Sequence, residues 1–185
     1  MTNWTLFLDR DGVINTRIVG SYVRNWGEFE FMKGALEAMP IFKARFEQVL
    51  VATNQQGIAK GLMTAADLEK VHEQMLQTIA KAGGKIEKAY YCPLHERENP
   101  HCRKPNSGMA EQAKKDFPNI DFTKSIMVGD SPSDIEFGHR LGMKTVFITT
   151  RQDIPSQELI DIQPKIDFTF DSLYAFSQQL ETILV

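Results

Sequence analysis

The chain has 185 residues, 42% hydrophobic and 24% charged, which suits one globular domain built around a five- or six-stranded sheet but not two independent catalytic lobes. A net charge of −3 and an isoelectric point near 5.8 exclude a general nucleic-acid binder, which needs a basic face to displace counterions. No stretch approaches the roughly 18 uninterrupted apolar residues of a membrane span.

The opening "MTNWTLFLDRDG" has no basic region followed by a long apolar segment, so neither a signal nor a transit peptide is expected and the expected compartment is the cytoplasm. Residues 4–8 read as a first strand. It runs directly into "FLDRDGVIN", where Asp9 and Asp11 stand two positions apart. Leu36, Met39, Phe42 and Phe46 recur at helical spacing, and Pro40, which lacks an amide hydrogen, is expected to kink or split that helix. A second strand, "QVLVAT" (48–53), precedes the clearest helix, over 64–82. There Thr64 and Asp67 resemble a capping box, Leu68, Val71, Met75 and Ile79 share a face, and Gly83-Gly84 is the stop. Further strands are predicted at 88–92, 125–130 and 144–149. A helix opens at Ser131-Pro132, with Ile135, Phe137 and Leu141 as its apolar surface, and a last one runs from about Ser172 toward Ile183.

Alternating strands and helices favour an α/β fold, a doubly wound and mainly parallel sheet covered on both faces, as one domain over residues 1–185 with no separate cap domain. Ligands of such sheets bind beyond the carboxyl ends of the strands. Asp9, Thr53 and Asp130 each close a predicted strand and so converge on one crevice.

Two carboxylates at i and i+2 project to the same side of extended chain, where they can flank one reacting group. Arg10, between them, should point the other way and serve structure. With Asp130 they make an oxygen-rich site suited to Mg²⁺, whose charge offsets their repulsion. Thr53, Asn54 and Gln55 in "VATNQQGIAKG" supply a hydroxyl, amides and a turn of backbone N–H groups for phosphate oxygens. Lys104 in "CRKP" adds a point charge and Arg103 a planar fork. Phosphoryl transfer needs these parts, because positioning and charge neutralisation lower its barrier.

"DRDG", "TN", "K" and "GDSPSD", in that order, resemble the haloacid dehalogenase (HAD) superfamily of aspartyl-phosphate phosphatases, over roughly residues 5–150. Within it, "FLDRDGVIN", "GSYV", "TNQQGIAKG" and "YCPLH" through "CRKPNSGM" resemble the heptose 1,7-bisphosphate phosphatases and the related histidinol-phosphatase domains. The resemblance implies that Asp9 is the nucleophile and Asp11 the acid and base. Mg²⁺ would sit on the Asp9 side chain, the Asp11 backbone carbonyl and the Asp130 side chain, with Asp134 orienting its water. Asp134 also fits an ordinary capping arrangement with Ser131. Gly20, Ser21 and Tyr22 resemble the family's substrate-contacting loop.

The implied substrate is a small phosphorylated sugar, heptose 1,7-bisphosphate, in nucleotide-activated heptose synthesis, acted on by a monomer. Histidinol phosphate is the alternative substrate, and a phospho-accepting signalling domain is the alternative from another class. Two features depart from the family. Ser131 stands where the heptose enzymes carry a lysine. Cys92, His95, His101 and Cys102 occupy a loop that holds zinc in many relatives, but Pro100 stands in place of one cysteine. A four-ligand zinc site, a weak three-ligand site and a metal-free loop held by packing are all open, and metal binding or no bond at all is expected ahead of a disulfide.

Overall fold

The computed structural model describes residues 3–184. Leu6 and Leu8 face one way and Phe7 the other along the first strand, and all four residues of β1 (Thr5–Leu8) are buried. A strand apolar on both sides needs cover on both sides. The sheet that results has six parallel strands, in the order β3 (Lys88–Cys92), β2 (Gln48–Asn54), β1, β4 (Ser125–Gly129), β5 (Lys144–Ile148), β6 (Phe168–Phe170). The register sets Leu6 beside Val49 and Ile126. One face packs Leu6, Leu8, Val51 and Val128 against Met39 and Phe42 of α1 (Ala35–Arg45) and Met75 of α2 (Ala65–Lys81). The other packs Phe7, Leu50 and Met127 against Met109 and Ala113 of α3 (Gly108–Asp116) and Phe137 of α4 (Pro132–Arg140). The five predicted strands and the doubly wound arrangement are all present.

Three expectations change. Pro40 neither kinks the chain out of helix nor splits it, for α1 runs through it. The proline forgoes one bond to the carbonyl four residues back, and the burial of Ala38, Met39 and Phe42 around it outweighs that loss. The last predicted helix divides into α6 (Leu173–Ser177) and α7 (Leu180–Ile183), although the Ser172 hydroxyl does cap its start, accepting from the Ala175 amide at 3.2 Å. Helices α3 and α5 (Ser156–Ile162) and strand β6 are additions. Among the described residues no helix is long and apolar enough to cross a membrane.

Candidate active site

Strands β2, β1 and β4 are neighbours, so the residues at their carboxyl ends meet. Asp9 follows β1, with its amide donating to Val128 O at 2.9 Å, and Asp130 follows β4. Gly12 turns the chain at φ +92°, and a Cβ there would lie 2.0 Å from Asp130 Oδ2, so only glycine lets this backbone lie against the carboxylate. A Cβ on Gly129 would fall 2.1 Å from that of Asp134, so its absence lets the first turn of α4 come down on the strand end. The Asp9, Asp130 and Asp134 carboxylates are all buried, and each offers an oxygen within 4.8 Å of the others. Lys104 enters this group from the far side of the sheet order, its Nζ 2.7 Å from Asp9 Oδ1, 2.6 Å from Asp134 Oδ1 and 2.5 Å from Ala52 O. Asn54 holds the lysine in place by exchanging two bonds with its backbone, at 3.0 and 3.1 Å.

One cation among three buried acids leaves charge uncompensated. Burial pushes the Asp9 carboxyl up to about 7, with Asp134 and Asp11 adding to the rise and Lys104 opposing it. Burial and then the Asp9 and Asp134 charges push Asp130 up to about 8, against the pull of Arg151 and Arg17. Burial would lower Lys104, but Asp134 and Asp9 outweigh it and hold the ammonium above its ordinary value. A hard divalent cation fits what is left: three convergent carboxylates, oxygen donors only, and a deficit of positive charge. Asp134 therefore stands in the carboxylate group itself. It also caps α4, its Oδ2 accepting from the Ser131 amide at 3.1 Å and hydroxyl at 2.7 Å. Asp134 thus divides its oxygens, Oδ2 to the helix cap and Oδ1 to Lys104.

Asp11 is held differently from its neighbour. Its carboxylate accepts from Arg10 at 2.9 and 3.0 Å, from Asn15 at 3.0 Å and from Gln55 at 2.7 Å. Burial alone would raise this group, but the Arg10 charge and the three donors outweigh it and keep it below the ordinary carboxylate range. Arg10 does not point away from the site as extended geometry suggests. The chain turns at once after Asp9, the amides of Val13, Ile14 and Asn15 all donating to the Arg10 carbonyl, and the guanidinium swings under Asp11. The side chain is fully buried and meets His72 Nε2 at 3.2 Å. Burial, then the Arg10 charge, push His72 down to about 3, so it is neutral and accepts from the guanidinium. His72 sits among Leu68, Val71 and Met75 on the apolar face of α2, and nothing in that pattern marks it as an arginine's partner.

A cavity of about 390 Å³ opens over these groups, lined among others by Asp9, Asp11, Thr53, Lys104 and Asp130. Gly20, Ser21 and Tyr22 line it, with Lys60 Nζ 3.2 Å from the Tyr22 hydroxyl. Arg103 lines it too. It pairs with Glu96 at 3.1 Å, while its Nη1 is buried with no partner among the described residues. Gln55 is a correction: its side chain is buried behind the cavity, bonding Asp11 and, at 2.9 Å, Thr53 Oγ1. Neighbouring Gln56 lines the cavity instead. With Gln55 donating to it, the Thr53 hydroxyl keeps its own proton for a ligand. The Asn54 amide, spent on the Lys104 backbone, positions the lysine.

The zinc set is not assembled. Cys92 and Cys102 are joined by a disulfide, so neither sulfur is a thiolate ligand. His101 Nε2 lies 2.9 Å from Glu111, and His95 Nδ1 accepts from the Arg97 amide. The expectation that metal binding or no bond at all would come ahead of a disulfide is overturned, for the loop between β3 and α3 brings Cys102 back against the end of β3.

Residues 101–176 match the HAD-hydrolase-like family model. The D-glycero-alpha-D-manno-heptose-1,7-bisphosphate 7-phosphatase of Mycobacterium tuberculosis is 42% identical over 138 residues, 75% of this chain and 73% of that protein. The chain belongs to the D-glycero-D-manno-heptose-1,7-bisphosphate 7-phosphatase family. A heptose-1,7-bisphosphate 7-phosphatase of Chlorobaculum tepidum extends the likeness to 91% of this chain and 89% of its own length, at 36% identity. The crystal structure of D,D-heptose 1,7-bisphosphate phosphatase from B. bronchiseptica, complexed with magnesium and phosphate, superposes with a TM-score of 0.82 at 26% identity, covering 97% of this chain and 99% of that one. Membership of this phosphatase family makes the chain a HAD-type phosphatase, and the fold agrees.

Proposed function

We propose that this protein, as a single-domain monomer, removes the 7-phosphate from D-glycero-D-manno-heptose 1,7-bisphosphate with Mg²⁺ as cofactor. The observation that carries the reading is the buried Asp9, Lys104, Asp130 and Asp134 group at the strand ends, opening into a cavity whose outer walls are cationic. Every group the chemistry needs comes from one chain.

The Asp9 carboxylate attacks phosphorus and the bond from phosphorus to the sugar oxygen breaks, giving an aspartyl-phosphate. Lys104 and the Thr53 hydroxyl hold the phosphoryl oxygens. Asp9, Asp130 and Asp134, with the Asp11 carbonyl, would hold Mg²⁺, which would supply positive charge to offset the phosphoryl oxygens and the buried acids. Asp11 gives its proton to the departing sugar oxygen, then takes one from the water that attacks phosphorus, releasing phosphate and restoring Asp9. Gripped by Arg10, Asn15 and Gln55, Asp11 is in the conformer and charge state of the base. Its acid step needs the carboxyl turned from Arg10 into the cavity it already lines.

Asp11→Asn should slow hydrolysis of a sugar phosphate by on the order of 10²- to 10⁴-fold. The loss should be much smaller for p-nitrophenyl phosphate, whose leaving group needs no proton. Equal losses in single-turnover kinetics would remove Asp11 as leaving-group acid. For the substrate, phosphate release from heptose 1,7-bisphosphate and from histidinol phosphate should favour the bisphosphate in kcat/KM. The reverse order would assign the chain to histidinol phosphate, and a single phosphorylation without turnover would make it a signalling domain.

A further inference from the structure

A bisphosphate brings a second phosphate that the nucleophile never touches, and the cavity has two cationic walls on which it can rest. On the β2 and β3 side, Arg103 lies next to Lys104, which already faces the reacting phosphoryl group through Asp9. The opposite wall lies past Asp130. There Arg17, from the segment after β1, and Arg151, from the loop after β5, reach the same carboxylate. Arg17 Nη2 is 2.5 Å from Asp153 Oδ2 and Arg151 Nε is 2.8 Å from Oδ1. A bond from Thr150 Oγ1 to Gly12 O, 2.7 Å long, ties the β5 loop to the turn beside Asp130.

Two guanidinium groups on one carboxylate leave a positive charge over. An ion pair that merely decorated the surface would have no use for the second arginine, whose repulsion of the first Asp153 only partly offsets. The arrangement is instead a preassembled pair of planar forks, most of their N–H donors unspent, and both arginines line the cavity. Phosphate oxygens are the ligand such forks suit best.

We propose that Arg17 and Arg151, gathered by Asp153, bind the substrate's uncleaved phosphate. This rests on the bisphosphate reading above and assigns it residues. The two arginines fix the length of the substrate between the reacting and the resting phosphate, so they set the preference for a bisphosphate over a monophosphate.

The test compares kcat/KM for heptose 1,7-bisphosphate with that for heptose 7-phosphate, in the native enzyme and in Arg17→Gln and Arg151→Gln, with Mg²⁺ half-saturation measured alongside. The ratio of the two specificity constants should fall by on the order of 10- to 100-fold in each variant, the loss of charge-assisted bonds to a phosphate. Both arginines also stand near enough to Asp130 to act on its charge. Equal losses on both substrates, with a raised Mg²⁺ requirement, would overturn the proposal and leave the arginines as counter-charges to the acid group, with the bisphosphate reading intact. A native enzyme with no preference between the two substrates would overturn the proposal and the bisphosphate reading together.

Discussion

Asp9→Asn is expected to lower turnover by on the order of 10⁴-fold or more on every phosphate ester, good leaving groups included. The amide cannot attack phosphorus, and no other carboxylate in the cavity can replace it. Asp130 and Asp134 are turned toward the shared acid group, and Asp11 is bound by Arg10, Asn15 and Gln55. The fold should survive, because the substitution removes one of the acids that repel each other and leaves a group that still accepts from Lys104. The contrast with Asp11→Asn is diagnostic, for that loss depends on the leaving group and this one does not. Unchanged circular dichroism with lost turnover is the expected pair of results. A variant that is folded and still turns over within roughly tenfold of the parent would mean another nucleophile.

Asp130→Asn should do two opposite things: cut activity by on the order of 10³- to 10⁴-fold and make the metal-free protein more stable. Asp9 and Asp130 titrate higher in the folded protein, at about 7 and about 8, than their ordinary 3.8. Below that ordinary value both states hold the protons and the groups take nothing from stability. As pH rises through it, the unfolded chain sheds protons that the folded chain keeps, so metal-free stability falls until pH passes the folded values. Metal-free protein should therefore melt lower at pH 8 than at pH 5, and Mg²⁺ should raise the melting temperature more at pH 8. Replacing Asp130 by Asn removes much of the slope and stabilises the metal-free form at pH 8 by about 1–3 kcal/mol. Thermal melts with and without Mg²⁺ across that range check the sign. A metal-free variant no more stable than the parent at pH 8 would contradict the charge deficit described for this site.

The sheet was legible wherever three or more buried apolar residues ran together, as in "WTLFL" and "SIMVG", because a strand buried on both faces is apolar on successive residues. Strand β6 has only three residues at a sheet edge and half-buried, and α3 faces the core with Met109, Ala110 and Ala113, too small a stripe to show a period. Between α6 and α7 the chain breaks at Gln178 and Gln179, where no glycine or proline marks a stop. At the site, strand ends placed Asp9, Thr53 and Asp130, and the motif order placed Lys104. Side-chain direction after a strand end was not legible. Extended geometry sends Arg10 away from Asp11, but the turn at Gly12 brings it underneath. Adjacent glutamines give no sign that Gln55 faces inward and Gln56 outward. Arg17 and Arg151 are separated by most of the chain, and only the loops after β1 and β5 bring them to one carboxylate.

The most direct measurement is a rapid acid quench during turnover of heptose 1,7-bisphosphate labelled at the 7-phosphate, followed by peptide mapping. The expected result is one labelled peptide, carrying its phosphoryl group on Asp9, formed in native enzyme and absent from Asp9→Asn. Label on any other side chain, or a full complement of label in that variant, would contradict nucleophilic attack by Asp9.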